Sequence, residues 1–122
     1  MTVITANELL EEWQERLGLQ DWAIILRFNL SEEDMEGNAG ITAWENVNKV
    51  AEVHIIQEGD YNSIIPYDFE RLLVHELLHI KFALIDNSGN DIVDRYIHQL
   101  IEDLAKALVA AKREGNNAKN QG

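Results

Sequence analysis

Apolar residues recur along this chain with two periods, and the switches between them predict an order of elements. From Thr5 to about Leu17, Leu9, Leu10, Trp13 and Leu17 fall on one stripe, while Glu11, Glu12 and Glu15 lie outside it. That is the pattern of an amphipathic helix. Thr5 and Glu8 are spaced as a capping box, Ile4 and Leu9 as a hydrophobic staple, and Gly18 stops the helix. Trp22 to Leu30, rich in Ile, Leu and Phe between polar flanks, reads as a strand. The acidic segment from Ser31 to Asn38 reads as a solvated loop; it lacks the alternating ligand register of a calcium loop. Ile41–Trp44 is a short second strand. Lys49–Gln57 is a third, in which Ala51, Val53 and Ile55 alternate with Glu52, His54 and Ile56. Its polar face suggests a place near a sheet edge, and Gly59–Ser63 is a turn or loop.

The period then returns to that of a helix. Pro66, the only proline, fits the first position of a helix reaching Asp86, where its missing N–H costs nothing. Leu72, Leu73, Val74, Leu77, Leu78, Ile80, Phe82, Leu84 and Ile85 leave this helix apolar nearly all round, so it should be buried on several sides. Asp86–Asn90 closes it and Asp91 is placed to cap the next. The last helix, about Ile92 to Lys112, presents Val93, Ile97, Leu100, Ile101, Leu104 and Leu108, and a polar stretch follows. The expected class is α+β: an N-terminal helix, a small three-stranded sheet, a buried central helix and a long C-terminal helix. Residues 1–113 form one domain and 114–122 a flexible polar tail.

Composition narrows the function. The chain has no cysteine, so a metal would have to be held by His, Asp or Glu. No apolar run approaches the roughly 20 residues of a membrane span. The N-terminus lacks the basic flank and apolar core of a secretory signal, which makes the cytoplasm the expected compartment. A formal charge of −12, with only Lys112 and Arg113 adjacent among the basic residues, argues against a nucleic-acid partner.

The chemistry is concentrated in His75-Glu76-Leu77-Leu78-His79, in the middle of the apolar helix. Residues four apart share a helix face, so both imidazoles can reach one ion. Glu76, one step round, is placed to hold a water on that ion and accept its proton without being a ligand itself. A catalytic zinc commonly takes three protein ligands and leaves a position open. The third should come from the last helix, where Asp94, His98 and Glu102 are spaced four apart. Asp94 is short and nearest the core, and Glu102 is long but turned furthest out. His98 combines reach with the nitrogen donor that zinc favours and is the preferred ligand, with Glu102 and Asp94 as alternatives. Tyr96 and His54 are candidates for stabilising an oxyanion, and an extended substrate could add beside Lys49–Gln57 if that strand is an edge.

The order of helix, three strands, His-Glu-x-x-His helix and second long helix resembles a minimal zincin. It is similar to the small gluzincin-like metallopeptidases of phages and mobile elements and to the core of the SprT-like and ImmA-type families. The likeness covers roughly residues 5 to 112, and only the His75–His79 motif is specific. It implies a zinc peptidase acting on peptide or protein substrates, with His75 and His79 as ligands and Glu76 as general base. Gluzincin-like relatives carry a glutamate ligand on the following helix, so His98 is closer to the all-histidine set of SprT-like proteins. The metzincin pattern is absent, because Phe82 and Ile85 stand where it needs glycine and histidine. Two other classes remain: a zinc-binding structural or regulatory module without turnover, and an acidic interaction protein with no metal.

Overall fold

The computed structural model describes the backbone of residues 1–121 and the side chains of residues 1–119. Helix α1 (Val3–Arg16) leads into strand β1 (Ala23–Leu30), followed by the short helix α2 (Glu32–Met35). Strands β2 (Gly40–Glu45) and β3 (Val50–Ile56) come next, then a single 3-10 turn at Glu58–Asp60. Helices α3 (Phe69–Lys81) and α4 (Asp91–Gln121) complete the order. Among the described residues the architecture is α+β, with four helices and one small mixed sheet.

The strand order is β1-β3-β2. β3 is therefore central, and the expectation that it lies at an edge is corrected. It runs parallel to β1, with Ala23 opposite Val50, and antiparallel to β2, with Gly40 opposite Ile55 and Thr42 opposite Val53. Its polar alternation has a different cause: one face of the sheet is covered and the other faces solvent. Ala51, Val53 and Ile55 point into the core. On the other face Glu52 accepts from Arg27 Nε at 2.5 Å and pairs with His54 Nε2 at 3.0 Å. The open edges belong to β1 and β2.

α3 lies over the inner face of the sheet. Leu73, Val74 and Leu77 are fully buried, joined by Leu72, Leu78 and Ile80. The helix is shorter than its apolar run suggests. Asp68 is the N-cap and accepts from Arg71 N at 3.2 Å, so Pro66 stands before the helix and not at its first position. After Lys81 the chain turns, leaving Leu84 and Ile85 exposed and burying Asp86.

Other boundaries move for similar reasons. Thr2 caps α1 by accepting from Thr5 N at 3.1 Å, which starts the helix three residues early. Ile4 is consequently 72% exposed, where the expected staple would have covered it. Ser31 caps the unpredicted α2, whose Met35 is fully buried and anchors the acidic segment. Asn90, not Asp91, caps α4, with Oδ1 accepting from Ile92 N and Val93 N at 3.0 and 3.1 Å. Its buried stripe is Ile97, Ile101, Ala105 and Val109, and Val93 is exposed. The helix runs beyond Lys112 to Gln121. The stretch expected to be a tail thus continues α4 as far as residue 121, and residue 122 lies outside the described residues.

Three elements meet near the C-terminal half of α4. Trp13 Nε1 donates to Glu70 Oε2 at 2.7 Å. Lys112 also pairs with Glu70, and Arg113 grips Asp68 through two nitrogens at 2.7 and 2.9 Å. Because these charges are matched, α1, the start of α3 and α4 are tied together without an isolated buried ion.

Candidate metal centre

The 3.6-residue repeat of α3 places His75 and His79 on one face, one turn apart, with ring centroids 5.2 Å from each other. α4 crosses this face, and the His98 ring sits 5.1 Å from that of His79. One ligand atom from each of His75, His79 and His98 lies within 4.8 Å of the others. Tertiary packing of two helices thus gathers three imidazoles that lie 19 to 23 positions apart across the helix pair.

Two of the rings are held by carboxylates. His75 Nδ1 is 2.7 Å from Glu102 Oε2, and His79 Nδ1 is 2.6 Å from Asp86 Oδ2. A carboxylate accepts only, so each pair fixes the proton on Nδ1 and leaves the Nε2 lone pair free. This is how metal-ligating histidines are usually oriented. Arg71 Nη1 donates to Glu102 Oε1 at 3.0 Å, holding that carboxylate from its other side. Burial, reinforced by neighbouring His79, pushes the His75 pKa down against the opposing pull of Glu102. A ring kept neutral is the ligating form. Burial works against the charge on Glu102, yet His75, Arg71 and Lys106 outweigh it and leave its carboxyl below the ordinary value.

Glu76 is buried beside these rings, its Oε2 4.0 Å from His75 Nε2. Burial pushes its pKa up, with His79 and the Thr42 hydroxyl working in the opposite direction. Thr42 Oγ1 donates to Oε1 at 2.8 Å. A basic carboxylate next to three nitrogen donors is suited to taking up a proton.

The donor set fits a divalent transition ion: three imidazoles, no thiolate, and two rings with fixed tautomers. The cluster also lies in the open. A cleft of about 490 Å3 reaches it past Tyr61, Arg71 and Ile65, and a smaller one of about 230 Å3 past Trp44 and Asn87. Both are lined by Gly40, Glu76, His79 and His98, so the cluster sits where they join.

Of the expected residues, His75, Glu76, His79 and His98 come together, and the alternative ligands do not join them as ligands. Asp94 accepts from Ser88 N and Oγ, both at 2.8 Å, and closes the turn into α4. Glu102 faces the site while staying partly exposed, and its near oxygen is taken by His75. His54 is on the sheet face opposite α3, since it pairs across from Ile41 and not from a core residue. Tyr96 is two-thirds exposed. Sequence reasoning missed Asp86 as a partner of His79, and missed Thr42 and Gly40 as neighbours of Glu76. A carboxylate seven residues beyond His79, just after an apolar run, was a legible hint for Asp86; nothing in the local sequence marks Thr42.

No family model matches the chain, and neither curated proteins nor solved structures gave a match. No described helix is long and apolar enough to cross a membrane.

Proposed function

We propose that this protein is a zinc-dependent peptidase of the minimal zincin kind, with His75, His79 and His98 as metal ligands and Glu76 as general base. The observation that carries the reading is the convergence of those three imidazoles beside a buried carboxylate in an open cleft. When bound at such a site, zinc supplies Lewis acidity, bringing a water pKa toward about 7 and polarising a carbonyl. Glu76 takes the proton from the attacking water and delivers it to the leaving amine, a role favoured by its raised pKa. Asp86 and Glu102 hold Nδ1 of two rings, which would leave Nε2 of each free for such an ion. Substrate recognition falls to β2, the edge strand nearest the site. Among the described residues its outer side has no strand partner, so an extended peptide can add there through backbone hydrogen bonds.

The test uses protein purified without an affinity tag. Elemental analysis should find about one zinc per chain, and a mixed library of unmodified peptides should be cut, with products read by mass spectrometry. Glu76→Gln should retain the metal and lose the cleavage. If Glu76→Gln cuts as well as the wild type, the general-base assignment fails. A zinc-loaded wild type that cuts nothing favours a structural or regulatory metal module, and a stable metal-free protein favours an interaction domain.

A further inference from the structure

β2 does more than border the cleft. Its residues Gly40 and Thr42 pair with Ile55 and Val53 of β3 and so share the face turned toward α3. Both meet the same side chain. The Thr42 hydroxyl donates to Glu76 Oε1 at 2.8 Å and lies 3.3 Å from the Glu76 carbonyl oxygen. At Gly40 an added Cβ would stand 2.5 Å from Glu76 Oε2, 2.7 Å from Cδ and 2.9 Å from Cγ. Glu76 is buried and lines both clefts, so a Cβ at Gly40 would displace its carboxylate from this position. Gly40 lies in ordinary strand geometry, without positive φ. Its lack of a side chain therefore serves the space occupied by Glu76, not a turn.

Resting on the peptidase reading above, we propose that Thr42 and Gly40 are positioning residues for the general base. Thr42 fixes Oε1, and the bare Cα of Gly40 leaves the space that Oε2 occupies on the histidine side of the cleft. Oε2, 4.0 Å from His75 Nε2, is then the oxygen that meets the water, while Oε1 is tied to the sheet. The strand whose outer edge takes the substrate backbone thus carries the groove for the base on its inner face. A peptide seated on β2 is held in register with the carboxylate that acts on it.

The contact and its consequence are measured separately. On metal-free protein, urea unfolding of wild type, Thr42→Val, Glu76→Met and the double variant forms a double-mutant cycle, since the thioether takes away the carboxylate acceptor of the Thr42 hydroxyl. A hydrogen bond to a charged group predicts a coupling of about tenfold in the unfolding constant. Additive effects overturn the contact. On zinc-loaded protein, with the library peptide that is cut fastest, Thr42→Val should lower kcat by about tenfold with little change in KM, and Thr42→Ser should restore it. Gly40→Ala should lower kcat further while zinc content remains at wild-type level. An unchanged kcat in Thr42→Val, or a loss that serine does not restore, overturns the positioning role. A wild type that binds zinc but cuts no peptide defeats the peptidase reading and the catalytic role with it. The unfolding cycle would still decide whether the contact exists.

Discussion

The sharpest test of the proposed site separates the residue offered as a ligand on α4 from those that would aim the other rings, and truncation to alanine does so. His98→Ala removes a nitrogen donor. Apparent zinc binding energies of about 10–16 kcal/mol over four positions put one ligand near 3 kcal/mol, or roughly a hundredfold in Kd. Asp86→Ala and Glu102→Ala each remove an orienting carboxylate, typically worth about 10- to 100-fold in affinity. Burial ranks these two. The Asp86 side chain is 3% exposed and that of Glu102 28% exposed. Water can replace the Glu102 oxygen at His75 Nδ1 more readily than it can reach His79. The expected order of loss is therefore His98→Ala, then Asp86→Ala, then Glu102→Ala near about tenfold. Competition against a chromophoric chelator measures Kd, and urea unfolding of each metal-free variant checks that the fold persists. If Glu102→Ala loses zinc while His98→Ala keeps it, the roles of these two α4 residues are reversed and the all-histidine site is wrong.

Three further outcomes concern stability. Ile101→Ala should destabilise the protein by about 2–4 kcal/mol in urea unfolding, because Ile101 is fully buried between α4 and the core and leaves a cavity. A cost below about 0.5 kcal/mol would contradict that packing. Trp13→Phe should cost about 1–2 kcal/mol by removing the indole N–H from Glu70, and should cost less once Glu70 is also Gln. Burial raises the Asp68 carboxyl, but the grip of Arg113, the Arg71 backbone N–H and both positive charges outweigh it, leaving its pKa below the ordinary value. A depressed folded-state pKa stabilises above the unfolded value of about 3.9 and is lost as pH falls through the folded one. Stability measured from pH 6 downward should accordingly fall below about pH 4 more steeply in wild type than in Asp68→Asn; parallel curves would contradict the linkage.

What could be read from the chain, and what could not, divides along the range of the forces involved. The α3 stripe and the His75–His79 spacing follow from helix geometry alone, since the four-residue offset sets which side chains share a face. The alternation in β3 was equally plain, but its meaning was not. Polar residues at Glu52 and His54 describe a solvated face, and strand order depends on pairings that no local pattern records. Boundaries slipped where two caps competed. Thr2 and Thr5 are both able to accept at the start of α1, and Asn90 and Asp91 both precede α4.

The site divides in the same way. His98 stands out on the last helix because reach and donor type are properties of one residue, and packing brings its ring beside His79. The partners of the site are different in kind. Glu102 is 27 positions from His75, and Thr42 is 34 from Glu76. Glu102 was expected to turn outward because it was measured from the apolar stripe of its own helix. The packing of α4 on α3 instead brings it to His75, where Arg71 supplies a counter-charge. A buried charge becomes tolerable once a partner is supplied from another element. Sequence polarity therefore reports whether a residue can stand alone in the core, and says little about one that is never alone. In this chain the motif places two imidazoles and a carboxylate, while the acidic groups bonded to those rings and the strand packed on Glu76 depend on assembly.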